Sequence, residues 1–200
     1  MKFFIHTLAG LLATIAVSAA VAFASPLVSD GQAPNADRPR AALDFMVGTW
    51  RVMGRALQKD GSYASDTISM RTATQLFEGS DTNGVMIHGY PPKDEESGES
   101  PFGISYFESY RIFVYHAETT SWRGVSHNTL GNRKILDGHI KGEAFYFDQR
   151  GELFRAAKGV VRFTYHSITA SSYKVRIDYS PDEGKNWHKG TYLMDAKRVL

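Results

Sequence analysis

Four polar side chains stand inside runs that are otherwise apolar and β-prone. His88 lies in Met86-Ile87-His88-Gly89-Tyr90, Arg111 in Tyr110-Arg111-Ile112-Phe113-Val114-Tyr115, His127 in Arg123-Gly124-Val125-Ser126-His127, and Arg162 in Val160-Val161-Arg162-Phe163-Thr164-Tyr165-His166. Residues two apart share one face of a strand, so Arg111 travels with Phe113 and Tyr115, and His88 with Met86 and Tyr90. His127 travels with Val125, and Arg162 and His166 with Val160 and Thr164. If these faces meet water, the four are ordinary strand decoration. If they face inward, they orient a ligand in an apolar cavity, the usual make-up of a small-molecule site. Parity leaves both open, because a single bulge inverts it. The same groups admit an enzymatic alternative, a cofactor-free isomerase, decarboxylase or hydrolase. Arg111 or Tyr110 would polarise the substrate and a histidine within hydrogen-bond reach of a second polar group would act as base.

Other chemistry is not spelled out. The seven histidines are scattered, with no H-x-H or H-x-x-x-H pair, so spacing predicts no metal site. There is no cysteine, which excludes disulfides, a lipobox and covalent haem attachment. Gly103-Ile104-Ser105-Tyr106-Phe107 falls one residue short of a G-x-S-x-G nucleophile turn. Neither a phosphate loop nor a dinucleotide fingerprint is present, and no cofactor is expected. Ser180-Pro181-Asp182-Glu183-Gly184-Lys185-Asn186-Trp187 has the pattern S-x-D-x-G-x-x-W and resembles the Asp box of sialidase propellers. Its mechanics are local: Ser180 and Asp182 bond turn backbone, Gly184 takes positive φ and Trp187 folds back, so the motif is expected to staple a hairpin.

The elements that position these residues follow from the rhythm of the chain. From Thr49 the side chains alternate, with Trp50, Val52 and Ala56 on one face and Arg51, Met53 and Arg55 on the other. Turns at residues 59–62, 78–84, 117–121, 128–133, 142 and 151 separate strands read at 63–76, 85–90, 104–107, 110–115 and 122–127, then at 134–140, 143–148, 153–157, 160–166, 172–179 and 188–199. Short antiparallel connections with no long helical period after residue 47 predict an all-β fold, a single up-and-down antiparallel barrel of about eight to ten strands. Before it, residues 41–47 carry Leu43, Phe45, Met46 and Val47 in about one turn of helix that would plug one barrel end, with Gly48 ending it.

Composition bounds the function class. The chain has 200 residues, 42% hydrophobic and 22% charged, with a formal net charge of +2, so there is material for one core and no broad basic field for nucleic acid. Lys2, an alanine-rich apolar run and Ala22-Phe23-Ala24 form a secretory signal over residues 1–24, with cleavage expected between Ala24 and Ser25. A periplasmic or secreted product with no stable membrane insertion follows. Residues 25–40 hold three prolines among small polar residues and read as a linker; residues 41–200 form the barrel domain.

Leu43-Asp44-Phe45-Met46-Val47-Gly48-Thr49-Trp50 opens the barrel with Gly48-x-Trp50, and Lys197-Arg198 lies just before the C-terminus. The opening resembles the G-x-W signature of lipocalins and other calycins. Together with the Ser180–Trp187 hairpin, it is similar to a bacterial lipocalin-like family of unknown function, over roughly residues 43–198. The resemblance implies a calycin barrel with a cavity for a small apolar or amphipathic ligand, and a contact of Arg198 across Trp50 at the closed end. It brings no catalytic residues and sets no oligomeric state. The turn at 59–62 and the acidic, proline-bracketed loop 91–101 then belong to the open rim, the loop either as a flap or as an inert insertion.

Overall fold

The alternation that begins at Thr49 runs into ten strands: β1 (Gly48–Ala56), β2 (Thr67–Leu76), β3 (Gly84–Tyr90), β4 (Ser109–His116), β5 (Ser121–Asn128), β6 (Arg133–Lys141), β7 (Ala144–Arg150), β8 (Val160–His166), β9 (Ser172–Ser180) and β10 (His188–Arg198). A computed structural model of the chain describes residues 34, 39–64, 67–77, 83–92, 108–150 and 159–199. Each strand pairs antiparallel with the next and β1 pairs with β10, giving a closed, lipocalin-like up-and-down barrel. Closure leaves no strand edge unpaired. The segment at 1–24 with its cut, most of the 25–40 linker, the 93–101 part of the acidic loop, Ser105, and the strands read at 104–107 and 153–157 lie outside the described residues.

Two local readings are corrected. The second strand starts at Thr67, because Tyr63 makes only a single bridge to Leu57 before the chain leaves the sheet. Asp60 holds the preceding turn by accepting from the Ser62 amide at 2.9 Å and its hydroxyl at 2.7 Å. The N-terminal plug consists of two 3-10 turns, Pro39–Ala41 and Asp44–Met46, in place of one helical turn over 41–47. Its hydrogen bonds span three residues, Met46 N to Leu43 O and Val47 N to Asp44 O. A stretch this short, with Val47 already extended to feed β1, has no room to propagate α-helix. Leu43, Phe45 and Met46 are fully buried all the same and fill the barrel end as expected.

That end is closed around Trp50. Its indole N–H donates to Met46 O at 2.7 Å, and Tyr173 meets the ring edge-on with centroids 4.7 Å apart. The Arg198 guanidinium lies 4.2 Å from the ring centroid while Nη1 donates to Val47 O (2.7 Å) and Nε to Ala170 O (2.8 Å). One cation thus ties the plug, the first strand and the β8–β9 turn to the last strand. Gly48 serves this contact twice: its φ of 121° suits glycine, and a Cβ there would stand 2.3 Å from Arg198 Nη1.

The inward side chains are sealed at this end and half-open at the other. Trp50, Phe113, Trp122, Phe145, Tyr165, Tyr173 and Ala196 are buried, whereas Ser69, Asn128, Gln149, Val161, Ile177, Tyr192 and Met194 keep part of their surface. Burial is therefore complete around Trp50 and partial among the inward residues toward the end that carries the 59–62 turn. On the outside, the closing hairpin is stapled as its motif requires. Ser180 Oγ donates to Asp182 and accepts from Gly184 N, both at 2.8 Å, Asp182 accepts from the Asn186 amide and side chain, and the Trp187 indole N–H donates to Gly184 O at 2.9 Å.

Two outcomes follow. Arg198→Ala should lower stability to denaturant by about 2 kcal/mol, the worth of one cation–π contact and charge-assisted bonds at a partly wet site. Arg198→Lys should recover less than half, since an ammonium cannot both stack and reach several carbonyls; a loss below about 0.5 kcal/mol for the alanine variant would remove this contact from the closure. The hairpin should also resist acid. Bonds from Asn186 and Ser180 hold the Asp182 carboxyl down at about 2, against 3.8 unperturbed. A depressed carboxyl contributes fully above its unfolded value and loses its contribution as pH falls through the folded one. The Trp187 indole resonance should accordingly shift with a midpoint near pH 2; a midpoint near 4 would contradict the staple.

Candidate functional site

The antiparallel register decides which strand residues share the lumen. Arg111 points inward, opposite Ile87 on β3 and Ser126 on β5, and Ser126 in turn lies opposite Lys134 on β6. His88, His127 and Arg162 project from the outer face. His88 pairs with the exposed Tyr110 and stacks on it at 4.3 Å, with Nε2 2.9 Å from Glu108 Oε1; His127 is exposed opposite the same tyrosine. Arg162 spends its donors on Asp148 in a two-pronged bond (2.7 and 2.8 Å) and lies 4.3 Å from the Trp187 ring centroid, which pins the stapled hairpin to the barrel wall. Hydrogen bonding to Asp148 raises its already high pKa, so it stays a fixed cation. Of the four candidates, the structure brings Arg111 alone into the lumen.

The enzymatic alternative loses its stated parts. Tyr110 is 43% exposed on the outside. His88, His116, His127, His139 and His166 all occupy outer-face positions, and His188 is exposed at the end of the stapled hairpin, so no described histidine stands in the lumen to act as base. Among the described residues no three His, Asp or Glu side chains converge as metal ligands. No described helix is long and apolar enough to cross a membrane.

What the lumen does contain is positive charge. Arg71 on β2, the register partner of Trp50, is buried and inward, and so is Lys134. Arg71 Nη2 points to the Met194 thioether at 2.8 Å and its guanidinium bonds the Tyr173 hydroxyl, while Nη1 is buried with no hydrogen-bond partner. Arg111 is enclosed by the wall yet keeps part of its surface. Its guanidinium lies 5.2 Å from the Phe163 ring and 5.9 Å from Phe147, and its buried Nε has no partner. The fully buried Tyr165 hydroxyl is likewise unpartnered. Burial pulls the Arg111 pKa down to about 10, and the nearby Arg71 charge pulls the same way; the side chain remains a cation at neutral pH. Burial pushes the Tyr173 hydroxyl up to about 12, so it stays a neutral donor.

Arg71, Lys134, Tyr165 and Tyr173 are the lumen residues that sequence reasoning did not single out. Thr67-Ile68-Ser69-Met70-Arg71-Thr72-Ala73 alternates no clear apolar face, and Lys134-Ile135-Leu136 offers two apolar residues of opposite parity. The signal that would have found them is the partner of Trp50: once the buried face of β1 is known, the antiparallel pairing carries it to Arg71.

No family model matches the sequence, and no curated protein matches it. Among solved structures the chain is similar to the S-type phycobiliprotein lyase CPES from Guillardia theta, at 9% identity over 77% of this chain and 88% of that one with a TM-score of 0.49. It is also similar to Rv2717c from M. tuberculosis, at 10% identity over 81% of this chain and 98% of that one, again with a TM-score of 0.49.

Proposed function

We propose that this chain is an exported lipocalin-like binding protein that holds a small amphipathic ligand in the open half of its barrel, as a member of the bacterial lipocalin-like family its G-x-W opening resembles. One observation carries the reading: three polar atoms, Arg71 Nη1, Arg111 Nε and Tyr165 Oη, are buried in the lumen with no partner. A buried donor left unpaired costs about 1–3 kcal/mol and more when charged, and such groups in a working protein are satisfied by ordered water or by a bound group. The wall around them is apolar, from Phe147, Phe163, Val161, Ile177 and Met194, the last three of them only partly buried. A polar group for the arginines and an apolar remainder for the wall describe an amphipath. Export rests on Lys2, the apolar run and the Ala22-Phe23-Ala24 cut site, and places the protein in the periplasm or outside the cell.

A neutral reporter separates this from surface binding. N-phenyl-1-naphthylamine should bind saturably with a rise in fluorescence, and Val161→Trp, which fills the lumen from β8, should weaken it at least tenfold in a protein whose circular dichroism is unchanged. Outside the barrel, Met86, Ile112, Val125 and Ile135 stand side by side across β3 to β6, with Ile135 62% exposed. If Val161→Trp leaves the signal intact and Ile135→Glu abolishes it, the ligand sits on that outer row and the lumen reading is wrong.

A further inference from the structure

The inward positions of the ten strands carry a one-sided charge. Reading them through the register gives Arg71, Arg111 and Lys134 above the plug and no aspartate or glutamate among the described residues. The carboxylates of the neighbouring strands, Asp148, Asp178 and Asp195, all point outward and pair there with Arg162, Arg176 and Arg55. Acids are thus matched to bases on the outside, while inside, among the described residues, Arg71 Nη1 and Arg111 Nε are buried without a hydrogen-bond partner, although the whole chain is near neutrality at +2.

Among the described residues no inward carboxylate faces Arg71 or Arg111. Tyr173, which bonds Arg71, is held as a neutral phenol, so no tyrosinate offsets the arginines at neutral pH. The Arg111 guanidinium lies against the rings of Phe147 and Phe163. An uncompensated cation in a low-dielectric interior is strongly disfavoured unless a counter-charge joins it.

We propose that the ligand is an organic monoanion whose carboxylate is held head-inward between Arg71 and Arg111, with the Tyr165 hydroxyl as a third donor and the apolar tail directed to the open rim. The inference rests on the reading of the barrel as a ligand binder and adds the sign of the head group and the ligand's direction. A carboxylate offers two oxygens with about four acceptor sites, which suits the free Nη1 of Arg71, the free Nε of Arg111 and one hydroxyl; guanidinium is the side chain best matched to such a head. Direction follows from depth. Arg71 and Arg111 both stand near Tyr165 and Tyr173, and these two rings belong to the sealed aromatic floor with Phe45, at ring distances of 5.6–5.9 Å. The head therefore lies at the bottom, and the half-open wall of Val161, Ile177 and Met194 receives the tail.

The test uses the full mature chain and four probes that differ only in head or tail: dodecanoate, dodecanol, dodecylammonium and acetate, each competed against N-phenyl-1-naphthylamine. Dodecanoate should bind at least tenfold more tightly than dodecanol, dodecylammonium more weakly than either, and acetate not detectably. In Arg111→Met, and independently in Arg71→Met, the ratio of dodecanoate to dodecanol affinity should fall toward one. The melting temperature of each unliganded variant should be equal to or above that of the parent, because an uncompensated charge has been removed. Equal binding of dodecanoate and dodecanol to the parent would overturn the anion proposal and leave the barrel a binder of neutral amphipaths. Tight binding of dodecylammonium would overturn it as well. A parent that takes up neither these probes nor the naphthylamine would overturn both readings.

Discussion

One guanidinium holds this fold shut. Arg198 enters from the last strand, covers the Trp50 indole and donates to carbonyls of the plug and of the turn between the eighth and ninth strands. A barrel gains its stability only once the first and last strands meet, because until then both present unpaired edges. The pairing of Trp50 with Arg198 sets the register of that seam, and the remaining partners, from Arg51 with Lys197 to Ala56 with Tyr192, follow from it. The same contact seals one end, so that among the described inward residues those left partly exposed lie toward the other.

Aromatic packing and buried charge then divide the interior. At the plug, Phe45 meets Tyr165 and Tyr173 edge-on, Tyr173 meets Trp50 in the same way, and all four rings are buried. At and above it, arginines stand against phenylalanine faces with donors unspent. A core built for stability alone would place leucine or methionine at positions 71 and 111, since apolar residues of similar volume replace buried charges at no loss or with a gain. On the proposed reading, two such charges trade stability for the capacity to bind, the exchange commonly found where a site requires locally unfavourable groups.

Much of this was legible in the chain and some was not, for definite reasons. Strand number and connectivity could be read because turn residues recur at short intervals, and Asp60-Gly61, Gly142 and the Ser180–Trp187 motif each determine local geometry without help from the rest of the fold. The Trp50–Arg198 contact was readable because it joins two recognisable ends. The faces of His88, Arg111, His127 and Arg162 were not: all four sit in strands with bulky residues of both parities, such as Ile112 beside Phe113, and only the closed register shows that Phe113 is the core member. Arg71 was overlooked because its strand shows no alternation, and its burial comes wholly from pairing with Trp50.

The account stands on a carboxylate lying between Arg71 and Arg111. A crystal of the protein grown with 12-bromododecanoate reads this directly, since the bromine marks the tail by anomalous scattering and the density shows the head. The account predicts head-group oxygens within about 3 Å of Arg71 Nη1 and Arg111 Nε, hydrogen-bonding range for charged donors, with the bromine toward the open rim. A bromine seated on the Trp50 floor with the carboxylate at the rim, or a molecule bound only on the outer face, would contradict it.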